Sequence, residues 1–129
     1  MTRRVMIVVT HLLGVGHLTR AALLADGLHQ AGIEVTLVSG GRPVPGLGEA
    51  GWHFVQLPPV HVTGTDFSNL LNEDGLPVTQ EQKDERLTIL LQTLQDCCPD
   101  ILITEHFPFG RRQLAPEFLS LIGAARAQH

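Results

Sequence analysis

The residues best placed to do chemistry lie in Thr10-His11-Leu12-Leu13-Gly14-Val15-Gly16-His17-Leu18-Thr19-Arg20, where two glycines and two histidines occupy a turn between an apolar run and an amphipathic one. Glycines at a strand-to-helix turn let the backbone come close to a ligand. An imidazole, with an ordinary pKa of ~6.5, is largely neutral near pH 7 and can accept a proton there. A second cluster, Glu105-His106-Phe107-Pro108-Phe109-Gly110-Arg111-Arg112, supplies a carboxylate, another imidazole and two guanidinium groups.

The elements that must position these groups read as an α/β domain. Val5 to Val9 is a continuous β-branched run, the pattern of a strand covered on both faces of a parallel sheet. After the glycine turn, Leu18, Ala21, Ala22, Ala25 and Leu28 recur at helical spacing, and Gly32 stands where a helix would stop. Glu34 to Ser39 is a second strand, ended by Gly40-Gly41 and Pro43-Val44-Pro45. A short helical stretch near Leu47 to Ala50 leads into a third strand, His53 to Leu57. The residues from Pro58 to about Val78 lack periodicity and read as a substrate-side loop. Thr79-Gln80-Glu81-Gln82 matches a capping box, and Leu87, Leu90, Leu91 and Leu94 form the buried stripe of a helix that Pro99 must end. A fourth strand spans Asp100 to Thr104, and a last helix Pro116 to Ala127.

Strand, helix, strand in this spacing is a right-handed crossover, and the whole predicts a Rossmann-like parallel sheet with helices on both faces. Ligands in such sheets bind beyond the carboxyl ends of the strands, where the strand order reverses. With the order 3-2-1-4, that reversal would bring the His11 to Thr19 turn beside Glu105 and His106.

Three anion-binding readings compete for the glycine turn. A Walker loop is excluded, because no Gly-Lys-Ser/Thr follows four spacer residues. A dinucleotide fingerprint is weakened twice: Thr19 stands in place of the third glycine, and the second strand ends in Ser39-Gly40-Gly41 rather than a ribose-binding acid. The helix beginning near Leu18 still offers amides to an acceptor anion or a diphosphate. The plainer alternatives are a tight turn with no ligand and a histidine that hydrogen-bonds that turn.

The third reading comes from resemblance. Gly14-Val15-Gly16-His17-Leu18-Thr19-Arg20, Leu24, Leu28, Ala31-Gly32 and Val35-Thr36-Leu37-Val38 resemble the amino-terminal domain of GT-B glycosyltransferases, particularly the MurG-like family 28 group. Gly110-Arg111-Arg112 and Pro116-Glu117-Phe118-Leu119, after Glu105-His106-Phe107-Pro108-Phe109, look like a bacterial group of predicted glycosyltransferases related to MurG. The resemblance implies inverting transfer of a sugar from a nucleotide-sugar donor to an acceptor held by this domain. It implies His17 as the base that takes the acceptor proton, oriented by Glu105, although the family carboxylate is usually aspartate. His11, Gly14, Gly16, Thr19, His106 and Arg111 become acceptor- or phosphate-binding candidates. It implies no bound metal and no cofactor, although a His11, His17, His106, Glu105 cluster can be drawn on paper. Such enzymes grip the donor nucleotide with a second, carboxy-terminal domain, so residues 1–129 read as a truncated acceptor-side domain, inactive alone, with donor binding left to a missing domain or a partner subunit. A non-catalytic Rossmann-like module that binds an anion or nucleotide is the alternative.

Composition sets the outer limits. The net charge of −4 offers no broad basic surface for nucleic acid. No apolar run approaches the roughly 20 residues of a membrane span, and the run after Arg3-Arg4 is too short for a signal peptide. The adjacent Cys97 and Cys98 cannot readily bridge, which fits a reducing, cytoplasmic setting. A sheet of four strands would leave the fourth strand's edge unpaired unless a partner chain covers it.

Overall fold

The computed structural model describes residues 2–47, 51–64, 69–105 and 112–128. Its strands are β1 (Arg4–Val9), β2 (Glu34–Ser39), β3 (His53–Gln56) and β4 (Ile101–Thr104). Its helices are α1 (Gly16–Gln30), α2 (Gln80–Cys97) and α3 (Ala115–Ala127), the last entered through a 3-10 turn at Arg112–Leu114. The sheet is all parallel, in the order β3-β2-β1-β4. The expected α/β Rossmann-like architecture is therefore present, with its reversal between β1 and β4.

Alternation along the strands divides the core in two. Met6, Val8 and Val38 face α2 and α3, where they pack with Leu90, Leu94, Phe118 and Leu121. Val5, Ile7, Val9, Val35 and Leu37 face α1 and meet Leu18, Ala21 and Ala25. Each large side chain fully buried this way contributes about 1.5–3 kcal/mol, and both faces of β1 are covered, as its unbroken apolar run requires. Small alanines on α1 let that helix lie close to the sheet. Trp52 ties its far end down, donating from Nε1 to Asp26 Oδ1 at 2.7 Å.

Gly32, at φ +85°, ends the first crossover helix in the left-handed conformation that glycine adopts without strain. The capping box forms: Gln82 N donates to Thr79 Oγ1 at 3.2 Å, and Thr79 N donates to Gln82 Oε1 at 2.9 Å. Helix α2 departs from expectation along its buried face. Its fully covered residues are Arg86, Leu90 and Leu94, whereas Leu87 and Leu91 are only partly covered. A charged residue occupies the first position of the stripe.

The stretch after β3 also differs from an open loop. Val60, Val62 and Leu70 are buried in the core, and bridges join His61 to Leu71 and Leu71 to Pro77. Asn72 organises the turn between them: its Oδ1 accepts from Asp74 N at 2.9 Å and Leu76 N at 3.1 Å, while its Nδ2 donates to the capping Gln82 at 3.3 Å. Side-chain turns of this kind leave no hydropathy period. Leu47 lies in a turn, and residues 48–50 of the expected short helix fall outside the described residues.

Among the described residues, β4 pairs only with β1, and Ile101 on that strand is exposed. No described helix is long and apolar enough to cross a membrane. Cys97 and Cys98 are both free, and burial pushes the Cys97 thiol up.

Candidate functional site

Register places the two chemical segments together. Val8 of β1 is level with Thr104 of β4, and Glu105 N donates to Val8 O at 3.0 Å. Glu105 thus stands at the carboxyl edge of the sheet, beside the turn leaving β1. From that turn α1 starts at Gly16, so His17 is the second residue of the helix. His17 Nδ1 lies 3.1 Å from Glu105 Oε1, with side chains 27% and 33% exposed. The pair is shielded enough to be ordered and open enough for a substrate to reach.

A carboxylate only accepts hydrogen bonds, so Glu105 favours the tautomer with the proton on Nδ1. The lone pair then falls on Nε2, the arrangement of an oriented general base. Arg20, one turn further along α1, approaches the same Nδ1 with Nη2 at 2.7 Å.

The helix start adds an electrostatic element. Among the described residues no side-chain hydrogen bond caps α1, and Val15 stands at the cap position with φ −101° and ψ 7°. The positive end of the helix dipole and the first-turn amides therefore face the crevice. Neither Gly14 nor Gly16 has a positive φ, and a Cβ on either would meet no other atom of the described residues within 4 Å. The backbone does not require glycine there, and no described residue crowds the front of the turn. Leu13 and Val15 beside it are exposed.

The other candidates separate into different surroundings. Thr19 is exposed on the first turn of α1, and its hydroxyl donates to Val15 O at 2.9 Å. His11 is buried at 3% exposure, with its ring beneath Gly41, so it supports the turn rather than lining the crevice. His106 and Arg111 lie outside the described residues, together with residues 107–110. Among the described residues, no group of histidine, cysteine and carboxylate side chains is arranged to hold a metal.

The residue that sequence reasoning missed is Arg86. Fully buried, it donates from Nε and Nη2 to the two oxygens of Glu117 at 2.9 Å each. Its Nη1 donates to Gly40 O at 2.9 Å and Pro58 O at 2.6 Å, and Nη2 reaches Thr10 Oγ1 at 3.5 Å. One side chain thus pins the carboxyl ends of β1, β2 and β3 to α3. All five guanidinium hydrogens have acceptors, as a buried cation demands. The available signal was a charge four residues before Leu90 and eight before Leu94, in the apolar stripe of α2.

A cavity of about 390 Å³, lined by Arg4, Glu34, His53, Asp96 and Cys97 among others, opens at the amino ends of the strands. That is the end opposite His17, away from where parallel sheets of this kind bind ligands. Compared with protein-family models, curated proteins and solved structures, the chain matches none of them, so the meaning of the His17–Glu105 pair rests on its geometry.

Proposed function

We propose that this chain is the acceptor-side part of an inverting glycosyltransferase that moves a sugar from a nucleotide-sugar donor to an acceptor hydroxyl. The observation that carries the reading is the 3.1 Å approach of His17 Nδ1 to Glu105 Oε1 at the sheet's reversal point. It joins two segments whose residues resemble one enzyme group. In the proposed reaction His17 Nε2 takes the acceptor proton as that oxygen bonds to the anomeric carbon. The bond from that carbon to the donor phosphate breaks, and its electron pair leaves with the nucleoside diphosphate.

Glu105 would stabilise the imidazolium as it forms, and a positioned base of this kind contributes about 10²–10⁴-fold to the rate. The uncapped start of α1 and the open space at Gly14 and Gly16 suit a phosphate-bearing substrate. Donor binding is assigned to a second domain or a partner chain, and the 129 residues alone should bind nucleotide sugars weakly and turn over none. Two free thiols fit a cytoplasmic setting for this chemistry.

The test is His17→Ala in the enzyme completed by its donor-binding part. Turnover should fall about 10²–10⁴-fold while donor affinity stays nearly unchanged. An unaltered rate would remove His17 from the chemistry. Tight nucleotide binding by the 129-residue chain, with no partner restoring transfer, would favour a non-catalytic binding module instead.

A further inference from the structure

Among the described residues, Arg20 and Glu105 make opposite demands on His17 Nδ1. Arg20 Nη2 is 2.7 Å away and can only donate; Glu105 Oε1 is 3.1 Å away and can only accept. One imidazole nitrogen carries either a proton or a lone pair, so only one of these contacts is a hydrogen bond at a time. Paired with Arg20, the neutral ring has its proton on Nε2 and cannot accept another there. Paired with Glu105, it has its proton on Nδ1 and its lone pair on Nε2.

The Arg20 contact is built into α1, because residues three apart on a helix are neighbours. Arg20 is exposed and, among the described residues, makes no ion pair with a carboxylate. An exposed guanidinium held by a neutral nitrogen is easily drawn away by an anion, which offers a charge-assisted and often bidentate alternative. The uncapped first turn of α1, one turn back along the same helix, attracts negative charge to the same place.

Resting on the role proposed for His17, we infer that Arg20 is a positioning residue that gates the base. It holds His17 in the non-basic tautomer until a phosphate or diphosphate group of the substrate takes the guanidinium. The ring then gives its Nε2 proton to water and takes one from water at Nδ1, where Glu105 receives the new hydrogen bond. Proton abstraction is thereby coupled to arrival of the anionic group, and an acceptor lacking one would be transferred to slowly.

Nitrogen-15 NMR of the His17 ring in the 129-residue chain reads the tautomer ratio directly, without any turnover. Arg20→Met should shift the ratio toward the Nδ1-protonated form by about tenfold, the size expected for losing one hydrogen bond to a charged group. Inorganic pyrophosphate should produce the same shift in the wild-type chain and none in Arg20→Met. A ratio that ignores the substitution, or a wild-type ratio that ignores pyrophosphate, overturns the gate whatever His17→Ala does to transfer. A responsive ratio beside unaltered transfer by His17→Ala instead removes the base and leaves an anion-sensing histidine.

Discussion

Gly14 and Gly16 follow β1, and Gly40 and Gly41 follow β2, one strand away in the same sheet; the two pairs face opposite surroundings. A Cβ on Gly40 would run into Thr10 Oγ1 and come within 2.6 Å of Arg86 Nη2. A Cβ on Gly41 would strike the backbone oxygen of His11 and come within 2.5 Å of its ring. A Cβ on Gly14 or Gly16 would touch none of the described residues. Among the described residues, the space beyond β2 is filled by Thr10, His11 and Arg86, and none fills the space at the turn beyond β1. Glycines that look alike in sequence thus mark a packed joint in one turn and an uncrowded one in the other, where the proposed function places substrate.

The joint beyond β2 depends on Arg86, and removing it should have the largest effect on stability. Arg86→Met leaves Glu117 buried without its partner, takes the guanidinium donor from Pro58 O, and leaves Gly40 O with Val60 N as its donor. Urea unfolding should show a loss of about 3–5 kcal/mol, much of it recovered when Glu117→Leu is added. A loss below about 1 kcal/mol would mean that the staple does not hold the strand ends.

Gly41→Ala comes next, at about 1–3 kcal/mol, because the neighbour in the way is backbone and cannot turn aside. Gly40→Ala should cost a similar amount in the wild type but clearly less in an Arg86→Ala background, where the guanidinium is gone. Equal costs in both backgrounds would break the link between that glycine and the arginine.

The turn beyond β1 should behave differently. Gly14→Ala and Gly16→Ala should each leave stability within about 0.5–1 kcal/mol of wild type, with Gly16→Ala, at the first position of α1, on the stabilising side. If the open space receives substrate, transfer by the completed enzyme should fall in both variants although the fold is intact. Loss of stability and activity together would mean that this turn too is a packed joint.

The smallest effect is pH-linked and belongs to the β2 side. His61 is buried where Val60 N and Val62 N donate to Gly40 O and Leu12 O. Burial, and secondarily the charge of Arg42, hold its pKa below the ordinary value. The unfolded chain therefore binds that proton more readily. Stability should be complete above about pH 6.5 and decline as pH falls from there through the lowered folded value. Melting temperatures at pH 7.5 and 5.5 should differ more for the wild type than for His61→Gln, and equal differences would dismiss His61 as the source.

Much of the architecture was legible because apolar runs, alternation and one capping box are local signals. The proximity of His17 and Glu105 was legible from topology, since strand order 3-2-1-4 leaves those turns no other place to go. Arg86 was hidden because hydropathy periodicity counts apolar residues, and a guanidinium with five acceptors behaves as core only once Glu117, Gly40 and Pro58 have gathered around it. Asn72 was hidden for a related reason: it replaces a missing hydrophobic period with hydrogen bonds to Asp74 and Leu76. The competition of Arg20 and Glu105 for one nitrogen depends on distances between side chains, which spacing alone does not supply.

In the proposed transfer Glu105 acts through His17, and a double-mutant cycle on turnover of the proposed glycosyltransferase separates that from two independent roles. His17→Ala should lower the rate about 10²–10⁴-fold, Glu105→Ala should lower it less, and Glu105→Ala should cost almost nothing further once His17 is gone. Independent, additive losses, or a His17→Ala enzyme as fast as wild type, would contradict it.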